Sequence, residues 1–264
     1  MRNFYYVHTG HRIGLDRFRR ACTIIRELGD MDITLLCSDF RIAQIAKDFG
    51  VKNAVGIDVV RNIPQIAFHG DKLIFDSDEA NPIMLEDMQK FFSTFIHVEE
   101  AQPIIDKKYF TQKEKTIELS YFFGDDDYSK DLQKNFDMVK DLEPDLLLGF
   151  YYFLDYEDML KSKFKNSHEF EDYDDVIQKS KILITASPQA VLESLASGAK
   201  PIYIQRADYT QSFNTLFKSL NIPIVNDYNK EQLSKIVANI DNHKYEKINQ
   251  NGNILIDFIK ENLN

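Results

Sequence analysis

Tryptophan is missing from the 264-residue chain, cysteine occurs only twice, and positive charge is in deficit. No apolar run approaches the roughly 18 residues of a membrane-crossing helix, and no charged-then-apolar leader opens the chain. A soluble, cytoplasmic protein without a transmembrane segment is therefore expected. Thirty-two basic residues stand against 42 acidic ones, a net charge of −10. That balance argues against non-specific binding to nucleic acid or to an anionic membrane. Cys22 and Cys37 lack ligand spacing and read as buried free thiols of a reducing compartment. Several catalytic signatures are also missing: the Gly-x-Ser-x-Gly elbow, the phosphate-loop lysine motif, His-Glu-x-x-His and Cys-x-x-Cys. Gly10-x-x-x-Gly14 does not have the spacing of a dinucleotide fingerprint. There is no internal repeat and no low-complexity tract. Phe and Tyr are plentiful, and no function attaches to that.

What the chain does have is alternation. Strands are predicted at Phe4–His8, Ile33–Ser38, Ala54–Asp58, Lys72–Phe75 and Phe95–Val98. Helices are predicted over Leu15–Leu28, Arg41–Phe49 and Ile83–Phe92. After a charged lapse between Gln102 and Lys115 the pattern resumes. Ile117–Phe123 and Asp145–Phe150 read as strands, with a helix over Ser129–Leu142 between them and two short helices within Asp155–Lys179. The edge strand Ile222–Val225 and helices near Lys230–Ile240 and Tyr245–Asn262 complete the chain. Strands alternating with helices at this spacing indicate an α/β fold with parallel doubly wound sheets. The lapse places a domain boundary, giving domains 1–105 and 106–264.

The most informative stretch is Ile182–Asn214. The apolar run Ile182-Leu183-Ile184 reads as a buried parallel strand. Ser187 can cap the following helix, with Pro188 in its first turn and Gly198 at its end. A second strand, Pro201–Gln205, leads to another helix. A loop at a strand's carboxyl end that faces a helix N-terminus is a usual place for an anionic ligand. A carboxylate at Glu193 can accept from hydroxyl groups. Backbone N–H groups and amides suit an anion.

The ordered set Ser187, Glu193, Gly198, Gln211 and Asn214 resembles the nucleotide-sugar site of the lipid-II-forming N-acetylglucosaminyltransferase. It is closer still to the UDP-sugar hydrolase of pseudaminic acid synthesis. The resemblance implies a GT-B architecture: two Rossmann-like domains with a cleft between them, the donor on the second and the reacting group or acceptor on the first. It implies a UDP-sugar substrate, held through its ribose at Glu193 and near its sugar and phosphates at Gln211. It implies no cofactor and no metal. A glycan, lipid-linked or protein acceptor would be the partner if transfer is not to water.

The first loop departs from the hydrolase pattern Ile-Gly-x-Gly-His-x-x-Arg. Here it reads Ile13-Gly14-Leu15-Asp16-Arg17-Phe18-Arg19-Arg20, so Ile13, Gly14 and Arg20 match while Arg17 replaces the catalytic His. A guanidinium stays protonated and cannot be a general base. Asp16 can serve as the base, or cap the helix instead. His8 or His11 can supply an imidazole. Arg17, Arg19 and Arg20 read as anion ligands or as a solvated basic face. Asp76 and Glu99, each first after its strand, are candidates for sugar hydroxyls. Gly124, in Gly124-Asp125-Asp126-Asp127, stands where the family has a glycine-rich loop that approaches the donor phosphates. Asp125 would repel a diphosphate unless a cation or the arginines compensate. Two outcomes stay open: a glycosyltransferase or divergent hydrolase, and a catalytically silent binding or partner protein of surface-glycan synthesis.

Overall fold

The computed structural model describes residues 1–249 and 254–263. The chain forms two compact units, Met1–Ile104 with Asn251–Asn264, and Ile105–Gln250. The sequence reading carries the second domain to residue 264, whereas the last helix belongs to the first unit.

The first unit runs β1 (Asn3–Val7), α1 (Asp16–Glu27), β2 (Ile33–Cys37), α2 (Phe40–Ile45), β3 (Asn53–Gly56), α3 (Ile63–Ile66), β4 (Lys72–Asp76), α4 (Pro82–Phe91) and β5 (Thr94–His97). All strand pairs are parallel, in the order β3-β2-β1-β4-β5. Phe4–Val7, Leu73–Phe75 and Leu35–Cys37 are buried. Strands covered on both faces need unbroken apolar runs rather than alternation, and these have them. Helix α1 buries Phe18 through Ile25 without a break, so its arginines at 19 and 20 lie inside. They do not form a solvated basic face.

The second unit comprises β6 (Ile117–Phe122), α5 (Asp131–Lys134), β7 (Asp145–Leu147), α6 (Leu154–Lys161), β8 (Ser167–His168), α7 (Tyr173–Lys179), β9 (Ser180–Thr185), α8 (Pro188–Ala196), β10 (Lys200–Ile204), α9 (Asn214–Ser219), β11 (Ile224–Val225) and α10 (Lys230–Ala238). Its sheet is also parallel, in the order β11-β10-β9-β6-β7-β8. The helix expected over Ser129–Leu142 is broken into α5 and two 3₁₀ turns. The helix expected over Tyr245–Asn262 is irregular through Asn249, and its residues 250–253 lie outside the described residues. Its helical part, α11 (Ile254–Leu263), packs on β5, and Lys72 Nζ donates to the Leu263 carbonyl at 2.7 Å.

Each order contains one switch point, where the chain leaves one side of its first strand for the other. In the first sheet it lies between β1 and β4, in the second between β6 and β9. In open parallel sheets, ligands bind by rule at the carboxyl ends of the strands that flank such a switch point.

Candidate functional site

At the first switch point the loop after β1 meets the loop after β4. His8 N–H donates to the Asp76 carbonyl at 3.2 Å, which ties the two loops together. His8 Nδ1 lies 3.1 Å from Asp78 Oδ1, and Nε2 lies 3.8 Å from Glu79 Oε1. Because a carboxylate only accepts, Nδ1 is the donor in the Asp78 contact, while Nε2 stands beyond hydrogen-bond reach of Glu79. Glu79 is held by the Tyr6 hydroxyl and by Ser77 Oγ at 3.2 Å.

Arg17 closes the cluster. It donates to Asp78 Oδ1 at 2.7 Å and to Glu100 Oε1 at 3.2 Å, and its Nε stands 3.9 Å from Asp76. Burial works to lower the Arg17 pKa, but the Asp78 hydrogen bond and charge outweigh it and the pKa rises. The Asp78 carboxyl is held well below the usual carboxylate range, first by the hydrogen bond from His8 and, against the effect of burial, by Arg17.

Arg20 and Asp76 stand behind this cluster and are occupied with each other. Arg20 Nε donates to Asp76 Oδ2 at 3.0 Å, and Nη2 pairs with Asp76 Oδ1. Nη1 donates to the carbonyls of Glu99 and Glu100. The Tyr5 hydroxyl adds a bond to Asp76 at 2.9 Å. Arg20 and Asp76 thus hold α1, β1, β4 and the β5 loop together, and neither offers a free edge to an anion or a sugar. The Glu99 side chain is exposed, and only its carbonyl joins the network. Glu100 is the acid that reaches Arg17. Asp16 is the first residue of α1 rather than its cap; Leu15 holds the cap position and makes no side-chain bond there. Gly14, at φ +76°, closes a tight turn by donating to the Gly10 carbonyl at 3.0 Å.

The second switch point is built by β6 and β9, whose ends are joined where Ala186 N–H donates to the Phe122 carbonyl at 3.3 Å. Ser187 caps α8 as expected, its Oγ accepting from Ala190 N–H at 3.1 Å. Gly124 follows β6 at φ +130°, a conformation that only glycine adopts readily. Of the three aspartates behind it, Asp127 is a helix cap. It accepts from Asp131 N–H at 2.7 Å, from Leu132 N–H at 3.0 Å, and from the Tyr156 hydroxyl. Burial raises its pKa against those bonds.

Glu193 is 1% exposed. Its carboxylate accepts from the Tyr173 hydroxyl at 2.7 Å and from Gln189 Nε2 at 2.8 Å. It is an enclosed, hydrogen-bonded acid, neither solvated nor presented openly to a ribose. Gln211 is exposed, and its carbonyl accepts from Asn214 N–H at 2.9 Å at the start of α9. In the same loop Gln205 Oε1 and Asn214 Oδ1 are buried acceptors with no partner among the described residues.

Sequence reasoning did not select Asp78, Glu79, Glu100, Gln189, Tyr173 or Arg206. The run Asp76-Ser77-Asp78-Glu79 held the signal for two of them. Arg206, two residues beyond β10, carried none beyond its place near a strand end. A separate apolar groove of about 240 Å³ lies between α3 and α4, lined by Ile63, Met84, Met88 and Phe92 among others, on one face of the first sheet rather than at its switch point. Among the described residues no cluster of His, Cys, Asp or Glu is arranged to hold a metal, and no helix is long and apolar enough to cross a membrane.

No protein-family profile and no curated protein matches the chain. Solved structures do match. UDP-GlcNAc 2-epimerase from Methanocaldococcus jannaschii, solved with UDP-GlcNAc and UDP, superposes with a TM-score of 0.63 at 11% identity, over 99% of each chain. A spinosyn rhamnosyltransferase bound to spinosyn aglycone gives 0.57 at 9%, over 100% of this chain and 96% of that one. An Escherichia coli heptosyltransferase with ADP gives 0.51 at 10%, over 92% and 99%. Identities this low speak to fold alone. The two parallel sheets, five-stranded and six-stranded, have the α/β fold of the GT-B glycosyltransferases and UDP-GlcNAc 2-epimerases.

Proposed function

We propose that the chain binds a nucleotide sugar, UDP-linked, and cleaves its anomeric bond, as a glycosyltransferase or as a divergent UDP-sugar hydrolase. The observation that carries this reading is the second switch point. A glycine loop after β6, a serine-capped helix of nine residues after β9 and, between β10 and α9, two amide oxygens without partners among the described residues stand at the carboxyl ends of three adjacent strands. A helix N-terminus and backbone N–H groups suit phosphate oxygens. Buried acceptors without donors are costly and call for hydroxyl or N–H partners, which a sugar or a base supplies. Ser187, Gly124, Gln211 and Asn214 are the donor-side residues in this reading. Glu193 takes the ribose only if Gln189 gives up its bond.

His8 is the base we favour over Asp16, since Asp78, which stays ionised, holds its Nδ1 and its Nε2 lies 3.8 Å from Glu79 without a hydrogen bond to it. It removes the proton of the attacking hydroxyl or water as that oxygen adds to the anomeric carbon and the diphosphate departs. Arg17 offsets charge in the same cluster. Gly14, Arg20, Asp76 and the Glu99 carbonyl support that cluster rather than touch substrate. The metal-free, cofactor-free scheme remains part of the proposal.

UDP is expected to raise the melting temperature, and UDP-sugars to be consumed with release of UDP. Failure of UDP, ADP and their sugars to shift the melting curve would remove the reading. Binding without consumption, with or without sugar and lipid-linked acceptors, would instead favour a catalytically silent partner protein of surface-glycan synthesis. The dense pairing of Arg17, Arg20 and Asp76 with one another's neighbours is what keeps that second reading alive.

A further inference from the structure

Arg206 follows β10 and reaches back over the end of β9. Nη1 donates to the Asp126 carbonyl at 2.7 Å in the loop after β6. Since β10 and β6 flank β9 on either side, the guanidinium crosses the strand end from which α8 begins. Its ring contacts fix the plane: Cζ lies 4.7 Å from the centroid of Phe123 and 5.3 Å from that of Tyr209. A Cβ placed on Gly124 would sit 3.8 Å from Nη1, so the glycine backbone and the guanidinium border the same space.

The fork of Arg206 is filled by a carboxylate from two residues along. Nε donates to Asp208 Oδ1 at 2.9 Å and Nη2 to Oδ2 at 2.7 Å. The two partners differ in exposure. The Arg206 side chain is 3% exposed and that of Asp208 41%. A planar carboxylate on both N–H groups has the geometry with which guanidinium takes two phosphate oxygens. Asp126 Oδ2 is a further, longer contact at 4.0 Å.

We propose that Arg206 is the diphosphate ligand of the second unit and that Asp208 is an intramolecular stand-in for the phosphate, displaced when the nucleotide binds. This rests on the nucleotide-sugar reading above and adds its phosphate ligand and a built-in competitor. Asp208 sits at the surface of a turn and can swing outward. Arg206, against two rings and bonded to the Asp126 carbonyl, stays in place. The apparent affinity is the intrinsic one scaled by the fraction of molecules whose fork is open. The Arg206 hydrogen bond keeps Asp208 ionised against the opposing effect of burial, so the competition persists at neutral pH.

The deciding variant is D208N. It keeps a hydrogen-bond acceptor on the buried guanidinium but lowers the charge that competes with phosphate. Titration calorimetry with UDP, inorganic pyrophosphate and uridine should give about tenfold tighter UDP and pyrophosphate binding in D208N, with uridine unchanged. R206Q should lose pyrophosphate binding. If R206Q does not fold, R206K replaces it, with the same loss expected because lysine has no fork. UDP binding equally to wild type and D208N would overturn the stand-in while leaving the nucleotide-sugar reading intact. UDP and pyrophosphate binding to neither protein would overturn both.

Discussion

His8 Nδ1 and Asp78 Oδ1 lie 3.1 Å apart, joining the loop after β1 to the loop after β4 at the first switch point. If His8 is the base, replacing it with Gln keeps a polar side chain and removes the proton acceptor. H8Q should cut turnover by about 10²–10⁴-fold while shifting the melting temperature little. D16N should leave turnover within a few-fold of wild type. Steady-state consumption of the UDP-sugar checks both. The opposite pattern would move the base to Asp16.

Asp78 accepts from both His8 and Arg17, so its removal has a second effect. Its carboxyl has a lowered pKa in the folded chain, so its contribution to stability is present above the unfolded-state value, about 3.9. The contribution is lost only as pH falls through the lower folded value. Wild type minus D78N stability should therefore be flat from neutral pH to about 4 and shrink in stronger acid. Denaturant melts along that pH series measure it, and a difference that grows on acidification would contradict it.

The pair behind this cluster predicts stability rather than activity. Arg20 and Asp76 are both buried, and deleting one removes the charge paired directly with the other. R20M or D76A should each cost about 3–5 kcal/mol. The double variant R20M/D76A should cost less than the sum, because no charge is stranded. Urea midpoints of the three variants test this, and additive losses would show that the pair does not act as a unit.

These partners also mark the limit of what was legible in the sequence. Strands such as Ile182–Thr185 announce themselves through unbroken apolar runs, and Ser187-Pro188 signals its helix locally. Both readings need only neighbours within a turn. Arg20 looks like part of a basic triplet because the acids and carbonyls that bury it arrive from residues 76, 99 and 100. Glu193 looks like an exposed or ligand-facing acid because Tyr173, 20 residues earlier, cannot be paired with it by pattern. The helix expected over Ser129–Leu142 fails for a local reason. Asp127 caps at Asp131 and Leu132, and Lys130, just before them, sits in the left-handed region at φ +54°.

Gly149 sets how closely the loop after β7 lies on the Gly124 loop. A methyl group there would strike the Gly124 carbonyl oxygen and come within 2.8 Å of both Asp125 Cα and Tyr152 Cε1. Backbone cannot give way as a flexible side chain can, so the Gly124 loop must move. G149A should cost about 1–3 kcal/mol and weaken UDP binding more than it weakens folding. Thermal melts with and without UDP separate the two, and a G149A chain with the wild-type UDP shift would show that the glycine loop does not touch the nucleotide.

Lys115 gives the sign of one alkaline effect. Its Nζ donates to the Gln178 carbonyl at 2.7 Å and to Ser197 Oγ at 3.3 Å, with no carboxylate among these partners. Burial lowers its pKa to about 8, against about 10.4 for an unfolded lysine. Between those values the unfolded chain holds a proton that the folded chain has released, so stability rises with pH there. The cost of the buried charge is present below the folded pKa and is relieved above it. Measured against K115M, wild type should gain stability as pH goes from about 7 to about 10, the difference between the two urea midpoints shifting in its favour. A shift in favour of K115M would mean that the ammonium, held at the ends of α7 and α8, stabilises the fold through its charge.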